Sequence, residues 1–311
     1  MDKTKYINTL NKPKDADLFD FDYNDDFYRR NPELPDSYRG HLKNFHTHTY
    51  RCNHATGDVY DYCERAIERG FDTLGFTDHN PFPDNEPIPG IRMDFSELDD
   101  YISSINQARI DYPTLKLYTG FECDYFKEFD SYYRDFLLGE KGIEYLTGSV
   151  HVYPYEGGLR GVHGQSMDTD MMKSYTNSIV DVIESGHFVY VNHPDLFGQQ
   201  MPSWNDEVYA MSKYIIETAV GCNVPLELNV SGICKTALHP DEASNLNYPI
   251  RQFWEIASDL GALVVLGTDA HHPIRLDTNM YHGFKMIEEL GLKQADVEKL
   301  INNRWYVKYS V

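Results

Sequence analysis

From about residue 42 onward, short apolar runs alternate with amphipathic stretches, and this alternation constrains the fold more than any other feature of the chain. It is the signature of repeated βα units. The pattern predicts strands over 43–48, 73–78, 115–121, 145–150, 188–192, 225–230 and 262–268. Helices are predicted near 58–69, 96–110, 128–140, 168–185, 204–221 and 248–260. In the second of these, Ser96 is the expected N-cap and Leu98, Ile102, Ile105 and Ile110 the apolar stripe. Several runs, such as Ala262-Leu263-Val264-Val265-Leu266, are apolar throughout, as a parallel sheet buried on both faces requires. An α/β fold closed into a parallel barrel is expected, and 311 residues suit one such barrel. No linker divides residues 41–311.

Residues 1–40 stand apart. Asp15, Asp17, Asp20, Asp22, Asp25 and Asp26 are interleaved there with Phe19, Phe21, Tyr23, Phe27 and Tyr28, which reads as an acidic, aromatic-rich arm laid along the main domain or a neighbouring subunit. The formal charge of −21 disfavours nucleic acid and anionic lipid as partners. No apolar run approaches the ~18 residues of a membrane span, and no apolar segment follows Met1-Asp2-Lys3-Thr4, so a soluble, cytoplasmic protein is expected. The five cysteines form no CxxC pair, consistent with reduced thiols. The oligomeric state is left open.

The chemistry lies at the strand ends. His46-Thr47-His48 closes the first predicted strand, and residues i and i+2 of a strand point to one side, so both rings can meet one metal ion. The second strand delivers His79, the third Glu122, the fourth His151, the fifth His193, and the seventh Asp269 and His271; His54 follows in the first loop. In a βα barrel these carboxyl ends open on one face, where sites are built. Nine such ligands exceed the need of one ion and suit two or three divalent ions. Nitrogen and oxygen donors favour zinc, iron or manganese over calcium or magnesium. His41, His163, His187, His239, His272 and His282 are read as non-ligating.

These residues, within His46-Thr47-His48, Thr77-Asp78-His79, Glu122, Ser149-Val150-His151, Asn192-His193-Pro194 and Asp269-Ala270-His271, resemble the successive motifs of the polymerase-and-histidinol-phosphatase (PHP) family. The likeness is closest to its stand-alone histidinol-phosphatase branch and spans roughly residues 43 to 275. It implies a distorted (β/α)7 barrel with a metal site at the C-terminal ends of the strands. It further implies that His46, His48, Glu122 and Asp269 hold one ion. Glu122 would bridge to a second, held by His151 and His193, and His54, His79 and His271 would hold a third.

The implied activity is that of a metal-dependent phosphomonoesterase, converting L-histidinol phosphate to L-histidinol and phosphate in histidine biosynthesis. A metal-bridging hydroxide, with its pKa lowered towards ~7, would be the nucleophile. The ions' positive charge would supply the local field that the acidic chain otherwise denies a small phosphorylated metabolite. Arg92 is the first choice to clamp phosphate oxygens, then Lys235, with Arg160 and Arg275 after them. Asp78 would orient a ligand imidazole or a water, or protonate the leaving alkoxide. Asp124, Glu227 and Glu86 are available to meet the substrate ammonium. Where relatives of this branch often carry an arginine-lysine pair, the chain has Ile233-Cys234-Lys235, which favours the alternative of a different small phosphate ester. A metal-dependent amidohydrolase is the more distant alternative, opposed by Glu122 in the bridging position and the lack of a bridging lysine.

Overall fold

The computed structural model describes residues 42–83, 87–163, 166–233 and 246–307, together with Leu34. Apart from Leu34, the arm expected over residues 1–40 lies outside the described residues, as do Glu86 and Lys235. The chain divides into two compact units. One runs to Phe121 and includes Thr268–Thr278, and the other comprises Glu122–Gly267 and the chain from Asn279 onward.

The first unit contains β1 (Leu42–Asn44), α1 (Val59–Arg69), β2 (Phe71–Phe76), α2 (Leu98–Asp111) and β3 (Lys116–Asp124) as far as Phe121. The three strands are parallel, with Asn44 opposite Leu74 and Thr73 opposite Lys116. Beyond β1 the chain stays extended: Thr77 N donates to Thr47 O at 2.9 Å, and His48 N donates to Ala270 O at 2.9 Å. Helix α1 opens on a capping box between Asp58 and Asp61 and ends at Gly70, where φ is 77°. Its buried face is Val59, Tyr62, Cys63 and Ala66.

Helix α2 differs from expectation at both ends. A capping box of Asp94 and Glu97 precedes it, so the cap is not Ser96. Its buried stripe is Leu98, Tyr101, Ile105 and Ala108, while Ile110 is 71% exposed. Ile110 lies five residues beyond Ile105, about 140° round the helix at about 100° per residue, and so leaves the apolar face.

The second unit carries β4 (Tyr145–Ser149), β5 (Val152–Tyr155), β6 (Gly158–Gly161), α3 (Thr169–Glu184), α4 (Asp206–Cys222), β7 (Leu226–Asn229), α5 (Arg251–Asp259), β8 (Leu263–Gly267), α6 (Met280–Leu290), β9 (Lys293–Gln294) and α7 (Val297–Val307). Strands β7, β8 and β9 are parallel neighbours in that order. The segment 188–192, expected as a strand, is irregular but hydrogen-bonded on both sides. Val189 N reaches Leu146 O at 2.8 Å and Glu227 N reaches Val191 O at 2.8 Å. The protein is thus an α/β fold built on parallel strands.

Five elements of this unit depart from the pattern of strands and α-helices read from the sequence. Residues Tyr132–Glu140 form a π-helix rather than an α-helix. Its wider turn, bonded i→i+5, buries Tyr132, Tyr133, Leu137 and Leu138 together. Strands β5 and β6 pair antiparallel around Glu156-Gly157, where φ values of 50° and 81° make a tight hairpin turn. Helices α6 and α7 follow the last predicted strand.

Asp195 ties the loop after His193 to α5. Its Oδ2 accepts Ile250 N at 2.7 Å and Trp254 Nε1 at 3.0 Å, and its Oδ1 has no partner among the described residues. Burial pushes its carboxyl up to about 7 against the pull of those two donors. A group whose folded pKa lies above its unfolded value holds its proton more tightly when folded, so it favours folding at low pH. That contribution is lost as pH rises from about 4 to about 7, at up to about 1.4 kcal/mol per pH unit. Asp195→Asn keeps both acceptor bonds without the charge. Its stability relative to wild type, read from urea midpoints, is therefore expected to rise across that window; a constant difference would show that Asp195 is ionised throughout.

Candidate metal centre

Six of the nine expected ligands fall in the first unit. His46 and His48 leave the end of β1 on the same side, and the carboxyl-terminal continuation of the last predicted strand brings Asp269 and His271 alongside. His46 Nε2 and His48 Nε2 are 3.1 Å apart, and both face Asp269 Oδ1, at 3.5 and 3.3 Å. All three residues are buried. Four donors around a zinc ion at about 2.0–2.1 Å lie about 3.3–3.4 Å from one another, so this spacing fits a shared cation.

A second argument for a cation comes from tautomers. His54 Nδ1 lies 2.7 Å from Cys52 O, and His271 Nδ1 lies 3.0 Å from Asp269 O. A carbonyl oxygen only accepts, so each Nδ1 carries the proton and each neutral ring presents a bare Nε2. Those two Nε2 atoms face one another at 3.0 Å. Two lone pairs at that distance call for a positive charge between them. Burial and neighbouring imidazoles keep His54 well below its ordinary pKa, and burial lowers His271 too. Burial works to raise the Asp269 carboxyl, but His46 and His271 hold it well below the usual carboxylate range. Neutral imidazoles and an ionised carboxylate are the states in which these side chains bind metal. His79 completes the group, its ring 4.8 Å from that of His48 and 5.2 Å from that of His54.

The remaining three ligands belong to the second unit. His193 Nε2 is 2.9 Å and His151 Nε2 3.6 Å from Glu122 Oε1, and the donor atoms of the three residues form one group. Ser149 Oγ and Asn192 Nδ2 both donate to that same Glu122 oxygen. Asp269 and His193 share a further mark: their φ values of 49° and 27° lie where side chains are costly, at about 1–3 kcal/mol each. Strain of this kind is retained where a side chain must be aimed.

Two carboxylates offered for the substrate ammonium have other tasks. Asp124 accepts His151 N at 2.7 Å and faces His151 Nδ1 at 3.1 Å, which sets the ring so that Nε2 points towards Glu122. Glu227 accepts His193 N at 3.0 Å and Asn229 Nδ2 at 3.0 Å. It is fully buried beneath Gly267, where a Cβ would stand 1.8 Å from its Oε1. The sequence offered both acids only as partners for a substrate ammonium; the signal that could have placed Asp124 is its period-two spacing from Glu122, and nothing local marks Glu227 as a support for His193.

Asp78 takes Thr49 N at 2.8 Å and Thr49 Oγ1 at 2.7 Å on its two oxygens, and burial pushes it up to about 6. Arg92 is 2% exposed, donates to Asn80 O at 2.9 Å and Ile88 O at 3.2 Å, and lies over the Phe82 ring. It braces the loop that follows His79. Arg160 is half-buried on β6 opposite Tyr153, in the hairpin that begins one residue after His151. Arg275 closes a short 3-10 turn, Pro273–Arg275.

The chain belongs to the PHP domain family, whose model matches residues 44–231. It is 28% identical over 254 residues to the "Probable histidinol-phosphatase" of Deinococcus radiodurans, covering 79% of this chain and 92% of that one. A Schizosaccharomyces pombe protein of the same description is 22% identical over 273 residues, covering 79% and 86%. Among solved structures, the histidinol phosphate phosphatase of Lactococcus lactis, complexed with zinc, L-histidinol and phosphate, superposes with a TM-score of 0.63. It is 18% identical, covers 81% of this chain and 94% of its own, and shows the same fold.

Asp124→Ala should leave the secondary structure intact and lower affinity for zinc by about 10–100-fold, because the His151 ring loses the contact that orients it. Titration of the metal-stripped protein by calorimetry, beside circular dichroism, measures both; unchanged affinity would assign Asp124 to some other task.

Proposed function

We propose that the chain is a metal-dependent phosphomonoesterase that hydrolyses L-histidinol phosphate to L-histidinol and phosphate. The observation that carries this reading is the pair of donor groups, His46, His48 and Asp269 with His54, His79 and His271 in one unit and Glu122 with His151 and His193 in the other. The match, over 79% of this chain, to relatives described as probable histidinol-phosphatases supports it. The distorted (β/α)7 barrel implied by the family resemblance is the frame we assign to these groups.

Two or three divalent ions of the zinc, iron or manganese class would neutralise phosphoryl charge and activate water. The chain's own residues prepare for that chemistry. Glu122 is held as an acceptor by Ser149 and Asn192, which keeps its carboxylate turned towards His151 and His193. Asp269 is aimed by a strained backbone, and Asp78 fixes the turn after His48 through both groups of Thr49. With its oxygens so engaged and buried, Asp78 is assigned a positioning role. Arg160, half-buried in the hairpin beside His151, and Arg92, which braces the His79 loop, are the described basic groups assigned to the substrate phosphate; Lys235, outside the described residues, is assigned with them from the sequence.

The substrate is a small phosphorylated metabolite, and the charge of −21 argues against nucleic acid and anionic membranes as partners. No described helix is long and apolar enough to cross a membrane. A cytoplasmic setting fits a biosynthetic phosphatase.

Phosphate release from L-histidinol phosphate, compared with sugar, nucleotide and aryl phosphates, tests the proposal. L-histidinol phosphate should have the highest kcat/KM. Chelation should abolish turnover and added zinc or manganese restore it. Glu122→Gln and Asp269→Asn should lose bound metal and activity together. Faster turnover of another ester would replace the substrate; full activity in stripped protein would remove the mechanism.

A further inference from the structure

The turn after β1 carries a thiol among the imidazoles. Thr49 caps a 3-10 turn over Tyr50–Cys52, Cys52 N donates to Thr49 O at 3.2 Å, and Asn53 then adopts φ 67°. The Asn53 side chain is anchored on Arg92 O at 2.6 Å. This reversal turns Cys52 and His54 towards the same point. Cys52 is fully buried, and its Sγ, with the donor atoms of His54 and His271, forms a group in which all three lie within 4.8 Å of one another.

The composition of this group departs from the family-based expectation. The resemblance implies that His54, His79 and His271 hold the third ion, yet His79 groups with His48 and His271, while Cys52 groups with His54 and His271 as well as with His48 and Asp78. The facing Nε2 atoms of His54 and His271 already call for a cation, and Cys52 Sγ lies within 4.8 Å of a ring nitrogen of each. Soft thiolate donors favour zinc, iron(II) or cobalt(II) over magnesium or manganese.

We propose that the ion held by His54 and His271 takes Cys52 Sγ as a further ligand, which makes that position select a thiophilic divalent cation. The inference rests on the metal-centre reading above. On binding, a sulfur–metal bond forms and the S–H bond breaks, its proton passing to solvent. The sulfur is not oxidised.

X-ray absorption at the zinc edge of the zinc-loaded full-length protein is the test, with metal content measured on the same sample. The wild type should show a sulfur scatterer at about 2.3 Å beside the nitrogen and oxygen shell. Cys52→Ser should lose it while retaining the circular dichroism spectrum, and should lose much of the preference for zinc over manganese. Cobalt(II)-substituted wild type should show a sulfur-to-cobalt charge-transfer band that is absent from the variant. A loaded wild type with nitrogen and oxygen neighbours alone would overturn the proposal and leave the metal centre standing, and so would a sulfur shell that persists in Cys52→Ser. Protein that binds no metal would overturn both. Should Cys52→Ser fail to fold, the wild-type absorption and cobalt spectra decide the matter without it.

Discussion

The first unit is organised by an electrostatic demand that its own side chains leave open. Asp269 is a buried carboxylate facing two imidazole nitrogens, while His54 and His271 turn lone pairs towards each other across 3.0 Å. Packed hydrophobes would be a cheaper way to fill this volume, since a buried charge without a partner costs several kcal/mol. The backbone accepts further strain at Asp269 to complete the arrangement. A cation bound among these groups converts repulsion into coordination. The loops that carry them, with Arg92 on two carbonyls and Asp78 on both groups of Thr49, are built to keep the donors in place.

Support for the candidate ligands of the second unit follows one rule: a polar side chain close in sequence or on a neighbouring strand holds the donor's ring, carboxylate or backbone. Asp124 does this for His151, Glu227 for the amide of His193, and Asn192 with Ser149 for Glu122. None of these groups needs to touch substrate to matter. Each removes a degree of freedom that a metal ion would otherwise have to remove on binding.

The α/β character of the fold and the clustered donor side chains were legible in the sequence for a shared reason. Alternate residues of an extended chain share a side, so histidines and acids at or just past the end of an apolar run can be aimed together at one point. That made His46, His48, Glu122, Asp269 and the rest readable before any coordinates. What failed were features that depend on other periods or on distant partners. The π-helix is set by i→i+5 bonding, the β5–β6 hairpin rests on two left-handed residues, and Ile110 lies off the buried face of α2. Asp124 and Glu227 were recognised as available acids, but their work is defined by His151 and His193, whose backbones no local pattern brings to them. Cys52 carries no strand-end signal, because it sits in a turn.

Gly267 shows how far such dependence reaches. A Cβ at this position would stand 1.8 Å from the Glu227 carboxylate, which in turn receives the amide of His193. The missing side chain on one strand is therefore the space in which the acid of the next strand lies, and that acid sets the backbone of a loop some seventy residues earlier. Tolerance to mutation at Gly267 is governed by chemistry rather than by turn geometry. A position that looks like sheet filler belongs, through a single vacancy, to the machinery that aims a ligand.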